Sequence, residues 1–209
     1  MKNFFLHIII LLSFFCQAQN SFEGEIKFVN HIDINQKVPE GFEKTLNNKY
    51  GDSLEMIYSK KGFFKRRYIN TGESGNDYQL YFPENGKFVI VKKNATKIDT
   101  GSVTVNSLKL KSFTQIKSEK IMNLDCDCYE YKTSRSSNGT EVILNYCFSK
   151  TLTKLDPILF KKHEDFFLSD FFRKSERPYL KFSMKVPAFT ITYIATEIIE
   201  KPISDSEFK

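Results

Sequence analysis

The sequence predicts a mainly β protein with a small helical part, built on a single twisted antiparallel sheet that is curved enough to wrap around something. Apolar and polar residues alternate with a period of two along most of the chain, and strong turn sequences separate the alternating segments. The regular alternation of strands with helices that builds parallel sheets is absent. Because a sheet must bury its apolar face, we expect a helix or loop to cover the concave side.

Residues 1–18 have the parts of a cleavable secretory signal. Lys2 supplies positive charge, residues 4–15 are almost wholly apolar, and Cys16-Gln17-Ala18 offers small residues to a signal peptidase. The apolar run is shorter than the ~20 residues of a membrane-spanning helix. We therefore predict export to the periplasm or the extracellular space, with residues 19–209 forming a single antiparallel-sheet domain.

Lipid attachment at Cys16 is the alternative to cleavage after Ala18. We do not favour this anchor, because Phe14 and Phe15 stand where lipidation normally requires a small residue. A lipidated Cys16 would tether the protein to a membrane. No later apolar run reaches spanning length, so we expect no membrane span.

The net charge of +6 is modest and dispersed, which does not favour a nucleic-acid partner. The densest basic cluster comprises Lys60, Lys61, Lys65, Arg66 and Arg67. Such a basic surface suits contact with anionic headgroups or polysaccharide. It also suits a solvated strand edge protected by lysines, and we favour this second interpretation because charge runs are usually solvated faces.

The alternation begins directly after the signal. Phe22, Gly24, Ile26 and Phe28 share one face, which is typical of a half-buried strand. Residues 36–48 are polar and form a short helix or a loop. Further strands are expected at residues 54–58 and 63–69, with another strand or pair at 103–110 that turns near residues 106–107.

Two hairpins have turns that fix their registers. The turn Pro-Glu-Asn-Gly at residues 83–86 sets Leu80 opposite Val89 and Tyr78 opposite Val91. The second turn, Ser-Ser-Asn-Gly, lies at residues 136–139. If Arg135 faces Thr140 there, the facing pairs are Tyr129–Tyr146, Tyr131–Leu144 and Cys128–Cys147.

Cysteines that face each other across two strands can meet disulfide geometry in an oxidising compartment. We therefore predict the Cys128–Cys147 disulfide, although Cys126 could replace Cys128 if the register slips. A redox centre would favour Cys-x-x-Cys at a helix start, and zinc would need a fourth ligand where only His31 and His163 are available. We expect no metal and no cofactor. Free thiols remain the alternative.

No catalytic motif stands out, so we expect no catalytic residues and no enzyme activity. His163-Glu164-Asp165 resembles part of a catalytic dyad, but we interpret it as the polar surface of a helix.

The most suggestive element begins at Asp156-Pro157, a typical helix start, and continues to Phe172 as one helix or two short ones. It is either a lid over an apolar cavity or a helix whose aromatic face is simply core. Strands follow at 180–185 and 189–199, and the last has apolar residues in two phases, which predicts either two covered faces or a β-bulge. The phenylalanines that would cover the sheet or contact an apolar ligand are Phe160, Phe166, Phe167, Phe171 and Phe172.

Three stretches resemble secreted bacterial families of the LolA-like superfamily, including the GLPGLI-type family. They are residues 21–26 (SFEGEI), 120–129 (KIMNLDCDCY) and 197–208 (EIIEKPISDSEF). The chain departs from the GLPGLI-type pattern after Cys147, where a Gly-Leu-Pro-Gly loop is absent. The resemblance implies an open half-barrel of about eleven strands with helices on its concave side. In the lipoprotein-sorting members that cavity takes acyl chains.

Together these features suggest an exported envelope or periplasmic protein that binds an acyl chain or another apolar ligand, such as a lipid. The alternative is a structural or partner-binding protein with a filled core, whose partner would be another envelope protein.

Overall fold

The computed structural model describes residues 21–209. The predicted signal at residues 1–18, with Cys16, lies outside the described residues. Eleven strands and two α-helices, α1 (Phe42–Tyr50) and α2 (Leu168–Ser175), are joined by three 3-10 helices at Pro157–Phe160, Asp165–Phe167 and Asp205–Phe208. The strands are β1 (Gly24–Ile34), β2 (Ser53–Tyr58), β3 (Phe64–Ile69), β4 (Asn76–Phe82), β5 (Lys87–Lys92), β6 (Asp99–Ser102), β7 (Leu108–Ile121), β8 (Leu124–Arg135), β9 (Glu141–Phe148), β10 (Lys181–Lys185) and β11 (Phe189–Glu200).

All eleven strands form one antiparallel sheet in the order β6-β5-β4-β3-β2-β1-β11-β10-β9-β8-β7. The two edge strands, β6 and β7, are consecutive in the chain, and residues 103–107 are their only connection. Such a linker spans about 20 Å, whereas eleven flat strands would place the edges about 48 Å apart. The sheet is therefore strongly curved but not closed, which confirms the predicted fold class and matches what the resemblance implies.

The alternation of burial along β1 shows which of its residues face the concave side. Burial alternates from Gly24 to Asn30, and the buried members face the inside of the half-barrel. A β-bulge at Thr196 shifts the pairing, because Lys27 lies opposite Glu197 while Phe28 lies opposite Ala195. The bulge brings apolar residues from both phases of β11 onto one face. Of the two residues that lie out of phase, Ile198 is thus explained by the bulge, whereas Ile194 lies opposite Val29 on the convex face and is half-buried there.

Both predicted hairpin registers are confirmed. Leu80 pairs with Val89 and Tyr78 with Val91 across the first turn. Across the second turn, the Arg135 amide donates to the Thr140 carbonyl at 2.8 Å. This turn sets the pairs Tyr129–Tyr146, Tyr131–Leu144 and Cys128–Cys147.

The segment of residues 155–175 forms the cover of the concave side. Pro157 begins its first 3-10 helix, and the Asp156 carboxylate accepts from the Ile158 amide at 3.0 Å, as the sequence predicts. Phe166 and Phe167 have φ values of 54° and 57°. Because these left-handed conformations interrupt any helix, the cover consists of two 3-10 helices followed by α2.

The convex face has its own smaller apolar cluster. Ile57 and Leu80 are buried there against Phe208 from the C-terminal 3-10 helix. No helix among the described residues is long and apolar enough to cross a membrane.

Candidate functional site

The concave side has two regions, and the first is filled with aromatic rings. We call it the packed region; its cover consists of Phe160, Phe171 and Phe172, none of which has any exposed surface. Phe171 stacks on Tyr146 of β9 with ring centroids 4.7 Å apart. Phe160 lies 4.5 Å from Phe172 and stacks on Phe64 of β3 at 6.2 Å. These three predicted cover residues therefore belong to the core.

The second region is a cavity of about 430 Å³ beside the packed region. This volume lies in the range of roughly 300–1,000 Å³ that small-molecule sites occupy. Phe166 is the one predicted cover residue that lines it, whereas Phe167 stacks on Tyr131 at 5.4 Å. The apolar lining comprises Leu54, Phe88, Ile90, Val103, Phe166, Leu168, Phe182, Met184 and Ile191.

The cavity has a solvent-facing mouth and a buried floor. Lys49 at the end of α1, Lys92 of β5 and Asp99 of β6 line the cavity and are exposed, so they mark the mouth. Lys92 and Asp99 form an ion pair across it at 2.8 Å. The floor carries polar groups from four tyrosines, Tyr68, Tyr146, Tyr179 and Tyr193, together with Arg66 and His163.

Arg66 is the central charged group of the floor. It pairs across the sheet with Met56 on one side and Gln79 on the other, both uncharged. Its guanidinium donates one long hydrogen bond, at 3.4 Å, to the Tyr179 hydroxyl. The buried Nε has no hydrogen-bond partner. Arg66 is half-buried and lines the cavity.

The predicted basic surface is therefore divided between two faces of the sheet. Lys60 and Lys61 are exposed at the β2–β3 turn. Lys65 and Arg67 point to the convex face, where Lys65 lies over the ring of Tyr78. Grouping Arg66 with them in one surface was wrong, because the two-residue period of β3 directs it inward with Phe64 and Tyr68.

His163 is also not where the sequence placed it. It is buried at 5% exposure, packed between the rings of Phe64 at 5.5 Å and Tyr81 at 4.9 Å. Burial, followed by the charge of Arg66, lowers the pKa of His163 to about 3. The imidazole is neutral at neutral pH, and its Nδ1 has no hydrogen-bond partner. The prediction that His163 lies on the polar surface of a helix is wrong, because the cover directs its side chain inward.

The tyrosines of the floor do not neutralise Arg66. Burial raises the pKa of Tyr68, Tyr146 and Tyr193, although the charge of Arg66 acts in the opposite direction. Their phenols are therefore protonated at neutral pH. The floor of the cavity keeps one positive charge, since arginine does not lose its proton in proteins.

The disulfide lies away from the cavity, on the convex face. Cys128 and Cys147 are bonded, as the hairpin register predicts, and Cys126 is a free, buried cysteine. The Glu119 carboxylate lies beside the disulfide and is bound by Lys181 at 2.8 Å. Burial raises the pKa of the Cys126 thiol to about 11, so the thiol is protonated and a poor nucleophile.

Sequence reasoning overlooked Arg66 as a cavity residue, yet a signal was present. In the stretch Phe64-Lys65-Arg66-Arg67-Tyr68, the two aromatic residues that flank Arg66 at a spacing of two define the buried face. The contributions of α1 to the mouth had no such signal, because they depend on how the helix docks.

Among solved structures, the lipoprotein LppX of Mycobacterium tuberculosis is similar to this chain, with a TM-score of 0.42 and 8% identity over 87% of this chain and 89% of that one. A DUF1329 family protein of Desulfovibrio piger is similar with a TM-score of 0.41 and 9% identity over 92% of each chain. No family model and no curated protein matches the chain. At this level of similarity the two structures say nothing about a ligand of this protein.

Proposed function

We propose that this protein is an exported binding protein that holds an acyl chain or another apolar ligand in the concavity of its half-barrel. The observation that carries the proposal is the cavity of about 430 Å³ with its largely apolar lining. Well-packed interiors leave few voids larger than a water molecule, so a cavity of this size is unusual for a core that merely fills itself.

The division of the concave side supports the same proposal. The packed region keeps the sheet and its cover together through Phe160, Phe171 and Phe172, which have no exposed surface. The cavity region can therefore stay open without loss of the fold. A preformed cavity of this kind is typical of ligand sites.

A fluorescent apolar probe tests the proposal on the purified protein. N-phenyl-1-naphthylamine is uncharged and brightens in apolar surroundings. We expect it to bind the wild type, and we expect Ile90→Trp to weaken binding by about tenfold or more, because Ile90 lines the cavity. Val91→Trp is the matched control, since Val91 pairs with Tyr78 on the convex face.

Two results would count against the proposal. One is the absence of any probe binding by the wild type. The other is equal binding by the Ile90 and Val91 variants. Native mass spectrometry of protein purified from its own host adds an independent test, in which we expect a bound lipid or other apolar molecule that organic extraction releases.

A structural or partner-binding function is the second candidate. The observation that favours it is β7, an edge strand of fourteen residues whose outer side has no strand partner among residues 21–209. Long edge strands can pair with another chain. Ligand-free protein from the host that co-purifies with one envelope protein, and loses it on Thr114→Pro in β7, would support this function instead.

A further inference from the structure

We infer that the ligand is an anionic amphiphile whose carboxylate or phosphate head binds Arg66, with its apolar part against the rest of the cavity lining. This inference rests on the proposed function and specifies its ligand class. It starts from a contrast between neighbouring residues of one strand, Arg66 and Arg67.

Arg67 faces outward and has its charge balanced by protein groups. Its guanidinium forms ion pairs with Glu55 at 2.9 Å and Glu207 at 3.1 Å. The neighbouring Lys65 donates to the Glu207 backbone carbonyl at 2.9 Å. The charge of Arg67 on the outer side of β3 is thus balanced by two carboxylates of the protein.

Arg66 faces inward and has no such balance. Among the described residues it forms no ion pair, and its guanidinium is held by uncharged groups: a hydrogen bond of 3.4 Å to Tyr179 and the ring of Phe64 at 5.6 Å. The two acidic residues of the cavity are both engaged elsewhere. Asp99 binds Lys92 at 2.8 Å, and Asp165 accepts from the Ser107 amide and hydroxyl at 3.1 and 2.8 Å.

A half-buried guanidinium without an anionic partner is less stable than one that is paired with an anion, because it has lost part of its hydration without gaining a counter-charge. The cost is recovered when a ligand supplies the anion. The planar guanidinium binds carboxylate and phosphate oxygens through paired N–H donors, and Nη1 of Arg66 has no hydrogen-bond partner among the described residues, whereas Nε is itself buried. The Tyr179 hydroxyl lies beside it as a further polar group.

The apolar part of the ligand follows from the rest of the lining. Leu54, Ile90, Met184 and Ile191 line the same cavity as Arg66 and offer only hydrocarbon or thioether contacts. A free inorganic anion would leave these side chains without a partner. A molecule that combines one oxyanion with a hydrocarbon part satisfies both kinds of lining.

Four ligands test this inference by isothermal titration on the full mature protein: dodecanoate, dodecyl phosphate, dodecanol and inorganic phosphate. In the wild type we expect at least one of the two anionic amphiphiles to bind about tenfold or more tighter than dodecanol. In Arg66→Met this preference should fall to about twofold or less, with dodecanol binding retained. Arg135→Met, at an exposed position of the β8–β9 hairpin, should keep the wild-type preference.

Each contrary outcome has a distinct meaning. Equal binding of dodecanol and both anionic amphiphiles to the wild type overturns the head-group assignment and leaves the proposed apolar site intact. Binding of inorganic phosphate as tight as that of dodecyl phosphate overturns the amphiphile class. Binding of none of the four overturns both proposals. If Arg66→Met does not fold, the comparison of ligands on the wild type still tests the head-group assignment. Arg66→Lys then serves as the milder variant, and we expect it to show a reduced preference for the anionic amphiphiles over dodecanol.

Discussion

The packed region and the cavity region lie under the same cover and on the same sheet, yet one is filled with side chains and the other is open. In the packed region, aromatic rings from β3, β9 and the cover interlock, as in the stack of Phe171 on Tyr146 at 4.7 Å. In the cavity region, Phe166 and Leu168 from the same cover face an open space of about 430 Å³. The first arrangement serves stability, and the second is the binding site that we propose.

The difference arises within the cover, at Phe166 and Phe167. Their left-handed backbone turns the chain within the second 3-10 helix, directly before α2 begins. The Phe166 side chain therefore lies at the cavity, whereas Phe171 and Phe172 point into the core. The Tyr146 hydroxyl donates to the Phe166 carbonyl at 2.9 Å and holds this turn on the sheet.

The largest expected effect is a loss of stability in the packed region. Phe171→Ala should lower the free energy of unfolding by about 3–5 kcal/mol, because it removes a fully buried ring and leaves a cavity. Phe166→Ala should cost below about 1 kcal/mol, since its ring already borders empty space. Urea denaturation of both variants measures the contrast. Similar losses in the two would mean that the regions are not distinct.

The next largest effect is expected from removal of the disulfide that joins β8 to β9 behind the packed region. Replacing Cys128 and Cys147 by Ser should cost about 3 kcal/mol, the loss expected when a closed loop of this length, with a sequence separation of 19, is opened. Probe binding should survive, because the bond lies on the convex face. In the chain lacking residues 1–18, alkylation in denaturant without reductant should modify one thiol, Cys126, which is buried in the folded protein. Three modified thiols would show that the bond is absent.

A pH effect of intermediate size should come from His163, at the border of the two regions. The unfolded imidazole takes a proton below about pH 6.5, whereas burial lowers the pKa in the folded protein to about 3. Acidification therefore favours the unfolded chain, and the folded state loses about 2 kcal/mol between pH 7 and pH 5 through this group.

The variant His163→Phe should lack this share of the acid sensitivity, as seen by comparing urea denaturation at pH 7 and pH 5. His31→Gln, at an exposed position of β1, is the control and should behave like the wild type. An unchanged pH dependence in His163→Phe would mean that His163 is not buried in its neutral form.

The smallest effect concerns Arg66 in the protein without ligand. Arg66→Met should raise the free energy of unfolding by about 1 kcal/mol, because it removes a half-buried charge that has no anionic partner among the described residues. Arg135→Met should change it by less than about 0.5 kcal/mol. A clear loss of stability in Arg66→Met would show that the protein itself satisfies this charge.

The sequence by itself determined the parts of the sheet that short turns control. The turns at residues 83–86 and 136–139 set the pairs Leu80–Val89 and Cys128–Cys147, because a tight turn leaves one register for the strands it joins. Alternation also determined the inward face of β1. In β3 the same alternation predicts an inward position for Arg66, but the run of basic residues suggests an exposed surface instead.

Only the tertiary structure decided what lies on the concave side. The alternation of Leu108 and Leu110 indicates only the start of β7. The strand continues through a mostly polar sequence to Ile121, because hydrogen bonding to β8 rather than burial defines it. The burial of His163 and the position of Lys49 at the mouth depend on how the cover and α1 dock on the curved sheet. Docking depends on contacts between residues far apart in the chain, and a local pattern cannot encode whether the space between them is filled or left open.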